Sequence, residues 1–569
     1  MTNASPLQAR HGGQILADAL RVHGVDTIFG VPGESYLAVL EGLHKYSEEA
    51  KFVICRQEGG AAFMADAYAK LTGKPGVLMV TRGPGATNAS IGVHTAHQDS
   101  TPMVVIIGQV GADARDREAF QEIDYRQFYG PITKWTAEID SVERIPEYIA
   151  QAMQRATSGR MGPVALSLPE TMLTSMATVR DSLAYTPVQA SPSAADMQGF
   201  ASRLAAAKNP VMLLGGSGWT KTACAQVANF VGRHNLATAC VFRRQDLLDN
   251  DHPCYIGDVG IGINPALKTR LDEADLVITI GARLGEMTTS GYTLFDIPTP
   301  KVPMIHVHAG ADDLGRVYQA EQMINAGVAG FAAALENITI DGADWSATTR
   351  ANRAAYEQWQ QSPPVIKTLA GNGKVKLDLW QIMQTLADKL PRDTILANGA
   401  GNFATWGHRF WRYGGLRTQL APTSGAMGYG VPAAVAASIA EPERSVLCLA
   451  GDGDFMMNAQ ELATATQFGA TPLVIVFNNS MYGTIRMHQE RDYPGNQVGT
   501  GLENPDFVAL AGAYGGFGSR VETTEEFGGA LEQALQSIKD KRRFALIELT
   551  VDPEMITPGR TLSQIRSGS

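Results

Sequence analysis

The chain has 569 residues, of which 44% are hydrophobic and 18% are charged, and its formal net charge is −10. This composition is typical of a globular protein with several domains and excludes a disordered or fibrous chain. The acidic balance, without a run of Lys or Arg, argues against a nucleic-acid partner, because phosphate binding needs clustered basic side chains.

Three features of the sequence lead us to expect a cytoplasmic protein. No apolar run reaches the roughly 18 residues that a membrane span needs, and the start MTNASPLQAR lacks the pattern of a signal peptide. The five cysteines form no CxxC pair, and such a sparse, odd number is typical of reduced thiols.

Composition divides the chain into three blocks, and we predict one domain for each: residues 1–185, 190–340 and 365–569. A polar, Pro-containing linker covers residues 175–193, and a polar connector that we expect to be irregular covers residues 339–374. We expect the tail from Thr557 to be loosely held.

Short apolar strands recur along the chain. In the first block VLMV begins at Val77 and a Thr-Pro-initiated strand follows 24 residues later, at Thr101. The central block has strands within residues 209–216, 274–286 and 302–310. The third block repeats the first, with VLCLA from Val446 and a Thr-Pro strand 25 residues later, at Thr471. Such strands are typical of parallel sheets buried on both faces, so we predict an α/β fold of three doubly wound domains.

The two strands of the third block end in residues that carry chemistry. Gly451-Asp452-Gly453 follows the first strand, and Asn478-Asn479 ends the second. Both ends lie at the carboxyl edge of a parallel sheet, where doubly wound folds bind ligands, and adjacent strands are about 4.8 Å apart. A phosphate near Asp452 would be repelled unless a hard divalent cation lay between them. The pattern therefore predicts a Mg²⁺–diphosphate site.

A strand that ends in GDG, followed by a strand that ends in NN, resembles the fingerprint of the thiamine-diphosphate (ThDP) enzymes. Nearly the whole chain is similar to the acetolactate synthase-like group of 2-oxoacid decarboxylases and carboligases. The resemblance implies a pyrimidine-binding, a central Rossmann-like and a diphosphate-binding domain for the three blocks. It also implies that Asp452, Asn479 and the main-chain carbonyl of Met481 hold Mg²⁺.

The same resemblance implies the residues that bind ThDP. Those near the diphosphate would be Ala400, Gly401, Asn402, Phe403, Gly451, Gly453 and Asp454, with Phe403 where the synthases often have His. Met427 would support the bent cofactor, whose amino group would donate to the Gly425 carbonyl. Glu58, in RQEGGAA, would be catalytic, because a carboxyl group on N1′ of the aminopyrimidine promotes loss of the C2 proton. The protein supplies such tautomer control and positioning, while the cofactor supplies the chemistry.

Neither related block carries a whole site. The first block has Glu58 but TRGPG in place of the acidic turn, whereas the third block has the acidic turn but no equivalent glutamate. We therefore expect a homodimer or homotetramer with active sites between subunits.

The resemblance further implies that Phe120 and Gln121, in AFQE, line the substrate pocket, with Gln121 able to donate to a carbonyl oxygen. His488 stands where biosynthetic synthases usually carry Trp. Arg486 and His488 either meet a substrate carboxylate, act as acid or base, or face solvent from a helix.

The central block departs from the synthases that hold FAD. YIGDVGIG stands in place of their GMHG-type turn, and GARLGEM keeps Gly281 and Arg283 but not the paired acids. The sequence therefore leaves FAD open and does not favour it.

Three functions are compatible with these motifs. The first is an acetolactate synthase-like carboligase that decarboxylates pyruvate and transfers the two-carbon unit to a second carbonyl. The second is a ThDP-dependent lyase or decarboxylase of a bulkier or aromatic 2-oxoacid or acyloin, like benzaldehyde lyase or benzoylformate decarboxylase. The third is a catalytically silent ThDP- or nucleotide-binding subunit, against which the retention of Glu58, Asp452 and Asn479 argues.

Overall fold

The computed structural model describes residues 8–373 and 375–568. The chain divides into two compact units, with the boundary between Val188 and Gln189. Among the described residues the first unit holds one six-stranded parallel sheet and the second unit holds two. The predicted α/β fold with three parallel sheets is thus confirmed. None of the described helices is both long and apolar enough to cross a membrane.

The first unit is a sheet with the strand order β3-β2-β4-β5-β7-β6, together with a short antiparallel pair, β1 and β8. Its strands are β1 (Arg10–His11), β2 (Thr27–Gly30), β3 (Lys51–Ile54), β4 (Gly76–Val80), β5 (Met103–Gln109), β6 (Trp135–Glu138), β7 (Pro163–Pro169) and β8 (Met176–Ala177). Its helices are α1 (Gly12–Val22), α2 (Leu37–His44), α3 (Glu58–Thr72), α4 (Pro84–Asp99), α5 (Tyr125–Tyr129), α6 (Ile145–Thr157) and α7 (Glu170–Thr174). All residues of β4, β5 and β7 are buried, as a sheet covered on both faces requires.

The second unit begins with the central sheet, whose strand order is β11-β10-β9-β12-β13-β14. Its strands are β9 (Pro210–Leu214), β10 (Thr238–Val241), β11 (Tyr255–Val259), β12 (Leu276–Ile280), β13 (Met304–His308) and β14 (Gln322–Asn325). The helices of this part are α8 (Ala194–Ala206), α9 (Lys221–His234), α10 (Pro265–Asp272), α11 (Val328–Leu335), α12 (Ser346–Trp359) and α13 (Pro364–Gly371).

The third sheet has the strand order β16-β15-β17-β18-β20-β19. Its strands are β15 (Ile395–Asn398), β16 (Gln419–Leu420), β17 (Val446–Gly451), β18 (Leu473–Asn478), β19 (Phe517–Val521) and β20 (Ala545–Thr550). Its helices are α14 (Leu379–Lys389), α15 (Ala404–Phe410), α16 (Gly430–Ala440), α17 (Asp452–Asn458), α18 (Glu461–Phe468), α19 (Gly483–Asp492), α20 (Phe507–Ala513), α21 (Thr524–Lys541) and α22 (Leu562–Ser567).

The first and third sheets have the same topology. If their strands are numbered within each sheet in chain order, both orders begin with the second strand, continue through the first, third, fourth and sixth, and end with the fifth. In this correspondence β4 and β5 match β17 and β18, the strands whose sequences repeat. The predicted relation between the first and third blocks therefore extends to every strand of the two sheets.

Two sequence-based expectations about connecting segments were wrong. The connector expected to be irregular contains α12 and α13, and the buried Tyr356 packs edge-on against Tyr255 of the central sheet. The tail expected to be loose contains α22, where Leu562 and Ile565 are buried against Met487 of α19. In both segments a few apolar side chains at helical spacing outweigh a polar composition.

Candidate active site

The ends of β17 and β18 lie side by side, as the motif spacing predicts. Gly451 pairs with Phe477 in the parallel ladder, so that Asp452 opens α17 beside the loop that begins at Asn479. Asp452 is 2% exposed, and its burial raises the pKa of the carboxyl group. No Lys or Arg within residues 8–373 and 375–568 forms an ion pair with Asp452. A buried carboxylate without a cationic partner is suited to a bound cation.

Each carboxylate oxygen of Asp452 accepts a hydrogen bond from the protein. Oδ1 accepts from the Gly453 N–H at 2.9 Å, and Oδ2 accepts from the side-chain amide of Asn504 at 2.8 Å. The backbone of Ser480 and Met481 also hydrogen-bonds this carboxylate, so several donors hold it in place. Asn504 is a functional candidate that the sequence motifs did not reveal.

The loop after β18 is held by the segment that precedes α20. The Tyr482 N–H donates to the Thr500 carbonyl and the Leu502 N–H donates to the Ser480 carbonyl, each at 2.9 Å. Met481 lies between these bonds, in an antiparallel bridge with Gly501. This pairing fixes the backbone that carries Asn479 and Met481 beside Asp452.

Two glycines of the GDG turn are required by close packing. A Cβ atom on Gly451 would lie 2.8 Å from the ring of Phe403, and one on Gly453 would lie 2.5 Å from the ring of Tyr482. Contacts this short exclude any other residue without movement of the aromatic rings. The two rings therefore lie directly on the turn that contains Asp452.

Asp454 connects two other loops of the site. Its Oδ1 accepts the Ala400 N–H at 3.0 Å and the Gly428 N–H at 2.9 Å. Burial raises the pKa of Asp454 to about 7, and the two N–H groups act in the opposite direction. The Asn458 side-chain amide also donates to the Gly428 carbonyl, at 2.9 Å. Hydrogen bonds thus hold both the N–H and the carbonyl of Gly428, the residue next to Met427.

The turn that contains Gly401 and Asn402 is attached to the start of α19. The hydroxyl of Thr484 accepts the Asn402 N–H at 3.0 Å and donates to the Asn402 side-chain oxygen at 3.1 Å. Phe403 follows and packs against Phe477, with ring centroids 6.0 Å apart. Thr484, like Asn504, is absent from the motifs.

These loops surround a cavity of about 240 Å³. Every residue of the third block that the resemblance implies for the cofactor lines it: Ala400, Gly401, Asn402, Phe403, Gly425, Met427, Gly451, Asp452, Gly453, Asp454, Asn479 and Met481. Within the described parts of the chain, no group of three or more His, Cys, Asp or Glu side chains is suited to a metal ion. The metal ligands that the resemblance implies are one carboxylate, one side-chain amide oxygen and one main-chain carbonyl. Such a site is not a cluster of His, Cys, Asp or Glu side chains.

Helix α19 carries both candidates for substrate contact in this unit. Arg486 donates to the buried Glu490 at 2.6 and 2.9 Å, and Arg566 of α22 donates to the same carboxylate at 2.7 and 2.9 Å. Nδ1 of the half-buried His488 has no hydrogen-bond partner among the described residues. Arg486 therefore has a carboxylate partner in its own helix, while His488 keeps an unused ring nitrogen.

Glu58 lies in the first unit, at the start of α3. The side-chain amide of Asn88, on α4, donates to Oε2 of Glu58 at 2.9 Å. A Cβ on Gly85 would lie 3.3 Å from Oε1, so a small residue leaves room beside the carboxylate. Asn88 is a polar contact of Glu58 that the motifs did not reveal.

Phe120 and Gln121 lie in the loop between β5 and α5. Phe120 is 73% exposed, and its carbonyl accepts from Arg82 Nε at 3.2 Å. Gln121 has a φ of 65° and lies against Gly83, which follows β4. Glu58, Gly83 and Gln121 all follow carboxyl ends of parallel strands, so the structure brings them to one edge of the first sheet.

Three family models match the chain in order. They are the N-terminal TPP binding domain of thiamine pyrophosphate enzymes over residues 10–128, the central domain over residues 197–335, and the C-terminal TPP binding domain over residues 399–549. The chain belongs to the thiamine pyrophosphate enzyme family. The prediction of a ThDP-dependent enzyme is confirmed by these matches.

Curated relatives of this ThDP enzyme are similar over almost its full length. The acetolactate synthase isozyme 2 large subunit of Escherichia coli (strain K12) is 30% identical over 531 residues, which are 93% of this chain and 94% of that subunit. The probable acetolactate synthase large subunit of Methanocaldococcus jannaschii is 30% identical over 583 residues, covering 97% of this chain and 95% of that protein. The predicted resemblance to the acetolactate synthase group is thus confirmed.

Proposed function

We propose that this protein is a ThDP- and Mg²⁺-dependent 2-oxoacid decarboxylase and carboligase of the acetolactate synthase type. It would remove CO₂ from an acid such as pyruvate and transfer the two-carbon unit to a second carbonyl compound. The observation that carries the proposal is the cavity of about 240 Å³ at the carboxyl edge of β17 and β18, where the inferred cofactor residues converge. The relatives named acetolactate synthase support the choice of reaction.

The surroundings of Asp452 support a Mg²⁺ ion. The ligands would be a carboxylate oxygen of Asp452, the side-chain oxygen of Asn479 and the main-chain carbonyl of Met481. Hard oxygen donors of this kind, completed by phosphate oxygens and water, suit the octahedral coordination of Mg²⁺. The cation would compensate the buried charge of Asp452 and allow a diphosphate to lie against the same turn.

The shape of the cavity supports ThDP as the ligand. Gly401, Asn402, Phe403 and Gly453 line the part near Asp452 and would hold the diphosphate. Met427 and Gly425 line the same cavity and would support the ring system. Asp454 also lines the cavity and would hold its walls together, because its carboxylate accepts backbone N–H groups of the loops that carry Ala400 and Met427.

Glu58 would bind the aminopyrimidine ring. When bound, ThDP supplies a carbon atom that adds to the keto group of a 2-oxoacid and accepts the electrons left by CO₂. Asn88 holds one oxygen of Glu58 at 2.9 Å. The other oxygen would hydrogen-bond the ring nitrogen and hold the proton that controls the tautomer.

We propose a homodimer or homotetramer as the active form. The first unit has a carboxylate at the start of α3, whereas in the third sheet Met427 lies in the equivalent connection, just before α16. The cation site follows β17, whereas its counterpart β4 is followed by Arg82-Gly83. Two copies arranged about a two-fold axis would combine the halves. The five cysteines form no disulfide in the described part of the chain, which agrees with assignment of this oligomer to the cytoplasm.

The substrate would lie between the ThDP ring and the loop of Phe120 and Gln121. Gln121 could donate its side-chain amide to a carbonyl oxygen of the acceptor. His488 lies on the helix whose first turn lines the cavity and would contact the acceptor. Arg486 would act through Glu490 by holding that helix.

The proposal does not include FAD. At the point where the strand order of the central sheet reverses, a Cβ on Gly216 would lie 1.9 Å from the Gly281 carbonyl oxygen, so the two turns are in direct contact. The buried Trp219 donates to the neighbouring Gly215 carbonyl at 2.7 Å. Doubly wound sheets bind dinucleotides at this point, and the packed turns do not favour one there. Flavin absorbance in the purified protein would overturn this part of the proposal.

A product screen tests the function. The purified protein is incubated with ThDP, Mg²⁺ and a panel of aliphatic and aromatic 2-oxoacids, and the products are identified by chromatography. Acetolactate from pyruvate is the expected result. Aldehyde alone, or turnover of aromatic acids only, would favour the lyase or decarboxylase alternative. ThDP binding without turnover of any acid would make the protein a silent subunit and contradict the proposal.

A further inference from the structure

Asn504 lies in the segment between α19 and α20, beside the loop that begins at Asn479. This segment pairs with the loop through the backbone bonds from Tyr482 to Thr500 and from Leu502 to Ser480. The pairing brings the side-chain amide of Asn504 to 2.8 Å from Oδ2 of Asp452 and 3.0 Å from the side-chain oxygen of Asn478. One amide group therefore contacts two residues of the motifs.

The orientation of both amides is determined by a carboxylate. Nδ2 of Asn478 lies 2.7 Å from Oε1 of Glu548, which is 3% exposed. An ionised carboxylate only accepts, and Arg520 Nε donates to the other oxygen of Glu548 at 3.0 Å. The NH₂ group of Asn478 must therefore face Glu548, and its oxygen must face Asn504. Both hydrogens of the Asn504 amide are then used, one toward Asn478 and one toward Asp452.

This chain of hydrogen bonds fixes the carboxylate plane of Asp452. With Gly453 N–H on Oδ1, Asn504 on Oδ2 and the backbone of Ser480 and Met481 also contributing, rotation of the carboxylate would break hydrogen bonds in a buried site. Metal-ligating carboxylates depend on such outer hydrogen bonds for their orientation. A hydroxyl or a shorter side chain at position 504 could not reproduce both bonds.

We propose that Asn504 is a positioning residue that orients Asp452 for Mg²⁺. The inference rests on the proposed function, because it requires that Asp452 binds the metal. It adds that the affinity for Mg²⁺ depends on a residue that would not itself contact the ion. Loss of its donors should weaken metal binding about 10- to 100-fold.

The test measures the dissociation constant of Mg²⁺ by calorimetry at saturating ThDP, with the full chain. Asn504→Ala is expected to weaken Mg²⁺ binding about 10- to 100-fold, and Asn504→Ser, which keeps one donor, should fall between it and the wild type. The matched control is Glu503→Ala, since Glu503 is the exposed neighbour in the same segment, and it should bind as the wild type does. Thermal unfolding of the ligand-free variants shows whether each is folded; should Asn504→Ala fail to fold, Asn504→Ser carries the test.

The outcomes separate this inference from the metal assignment. If Asp452→Ala abolishes Mg²⁺ binding but Asn504→Ala and Asn504→Ser bind with wild-type affinity, Asn504 has no positioning role and only this inference is overturned. If Asp452→Ala binds Mg²⁺ as the wild type does, the proposed metal site itself is wrong. A lower unfolding temperature of Asn504→Ala with unchanged Mg²⁺ affinity would mean a structural role only, which also contradicts the inference.

Discussion

Glu58 and Met427 both lie in the connection that follows the second strand, in chain order, of two sheets with the same strand order. Glu58 begins α3, which follows β3, and Met427 lies just before α16, which follows β16. This connection carries a carboxylate in the first sheet and a thioether in the third sheet. Of these two sheets, only the third has an acidic turn after its third strand in chain order. This difference between related sheets is the basis for assigning the two halves of the site to different subunits.

Asp452→Ala should abolish Mg²⁺-dependent binding of ThDP, because the variant lacks the only carboxylate among the inferred metal ligands. Binding is measured by calorimetry in the presence of Mg²⁺ and again in EDTA. Asp388→Ala is the control, since Asp388 is an exposed acid on α14 of the same unit, and it should bind normally. Tight ThDP binding by Asp452→Ala, or by the wild type in EDTA, would refute the metal assignment.

Glu58→Gln should keep ThDP binding but slow exchange of the C2 proton of the bound cofactor at least about 100-fold, because Gln cannot hold the ring proton. The rate is measured by quenched-flow deuterium exchange and NMR. Glu49→Gln changes an exposed glutamate of the same unit and should exchange at the wild-type rate. An unchanged rate in Glu58→Gln would remove Glu58 from the mechanism.

Asp454→Ala should loosen two loops at once. It leaves the buried N–H of Gly428 and that of Ala400 without their acceptor, at a cost of about 2–6 kcal/mol for the two groups. Hydrogen–deuterium exchange of both amides should become faster. Asp454→Asn keeps a side-chain oxygen as acceptor and should remain near the wild type. Unchanged exchange at both amides in the Ala variant would contradict this role.

The attachment of α22 to α19 should depend on pH. Arg566, followed by smaller effects that include Arg486, lowers the pKa of Glu490 to about 2, well below that of an unfolded glutamate. A lowered folded-state pKa means that the stabilisation is complete above the unfolded-state pKa of about 4.3 and is lost as the pH falls toward 2. The protection factors of the amides in residues 562–567, which correct for the pH dependence of intrinsic exchange, should therefore fall between about pH 4.3 and pH 2. Glu490→Gln should show fast exchange already at neutral pH; the same pH profile in this variant would refute the explanation.

The parts of the site that could be predicted from the sequence are those that follow neighbouring strands. Asp452 and Asn479 converge because parallel strands end at one edge, a rule that needs only the order of the motifs. Asn504 lies 52 residues from Asp452, and Thr484 lies 82 residues from Asn402, and neither belongs to a strand end. Their contacts depend on how loops pack, which no periodicity encodes. Helix α12 could not be predicted for a different reason, because its composition is polar and resembles that of a connecting segment.

The central claim is that one subunit supplies Glu58 and its partner supplies the cation site. Glu58→Gln and Asp452→Ala, each inactive alone, are co-expressed with different tags and the mixed dimer is purified. If sites form between subunits, every mixed dimer contains one site with both residues intact and one with neither, so it should regain about half of the wild-type activity. A mixed dimer as inactive as either parent would mean that each site is built within one chain, and would contradict the account.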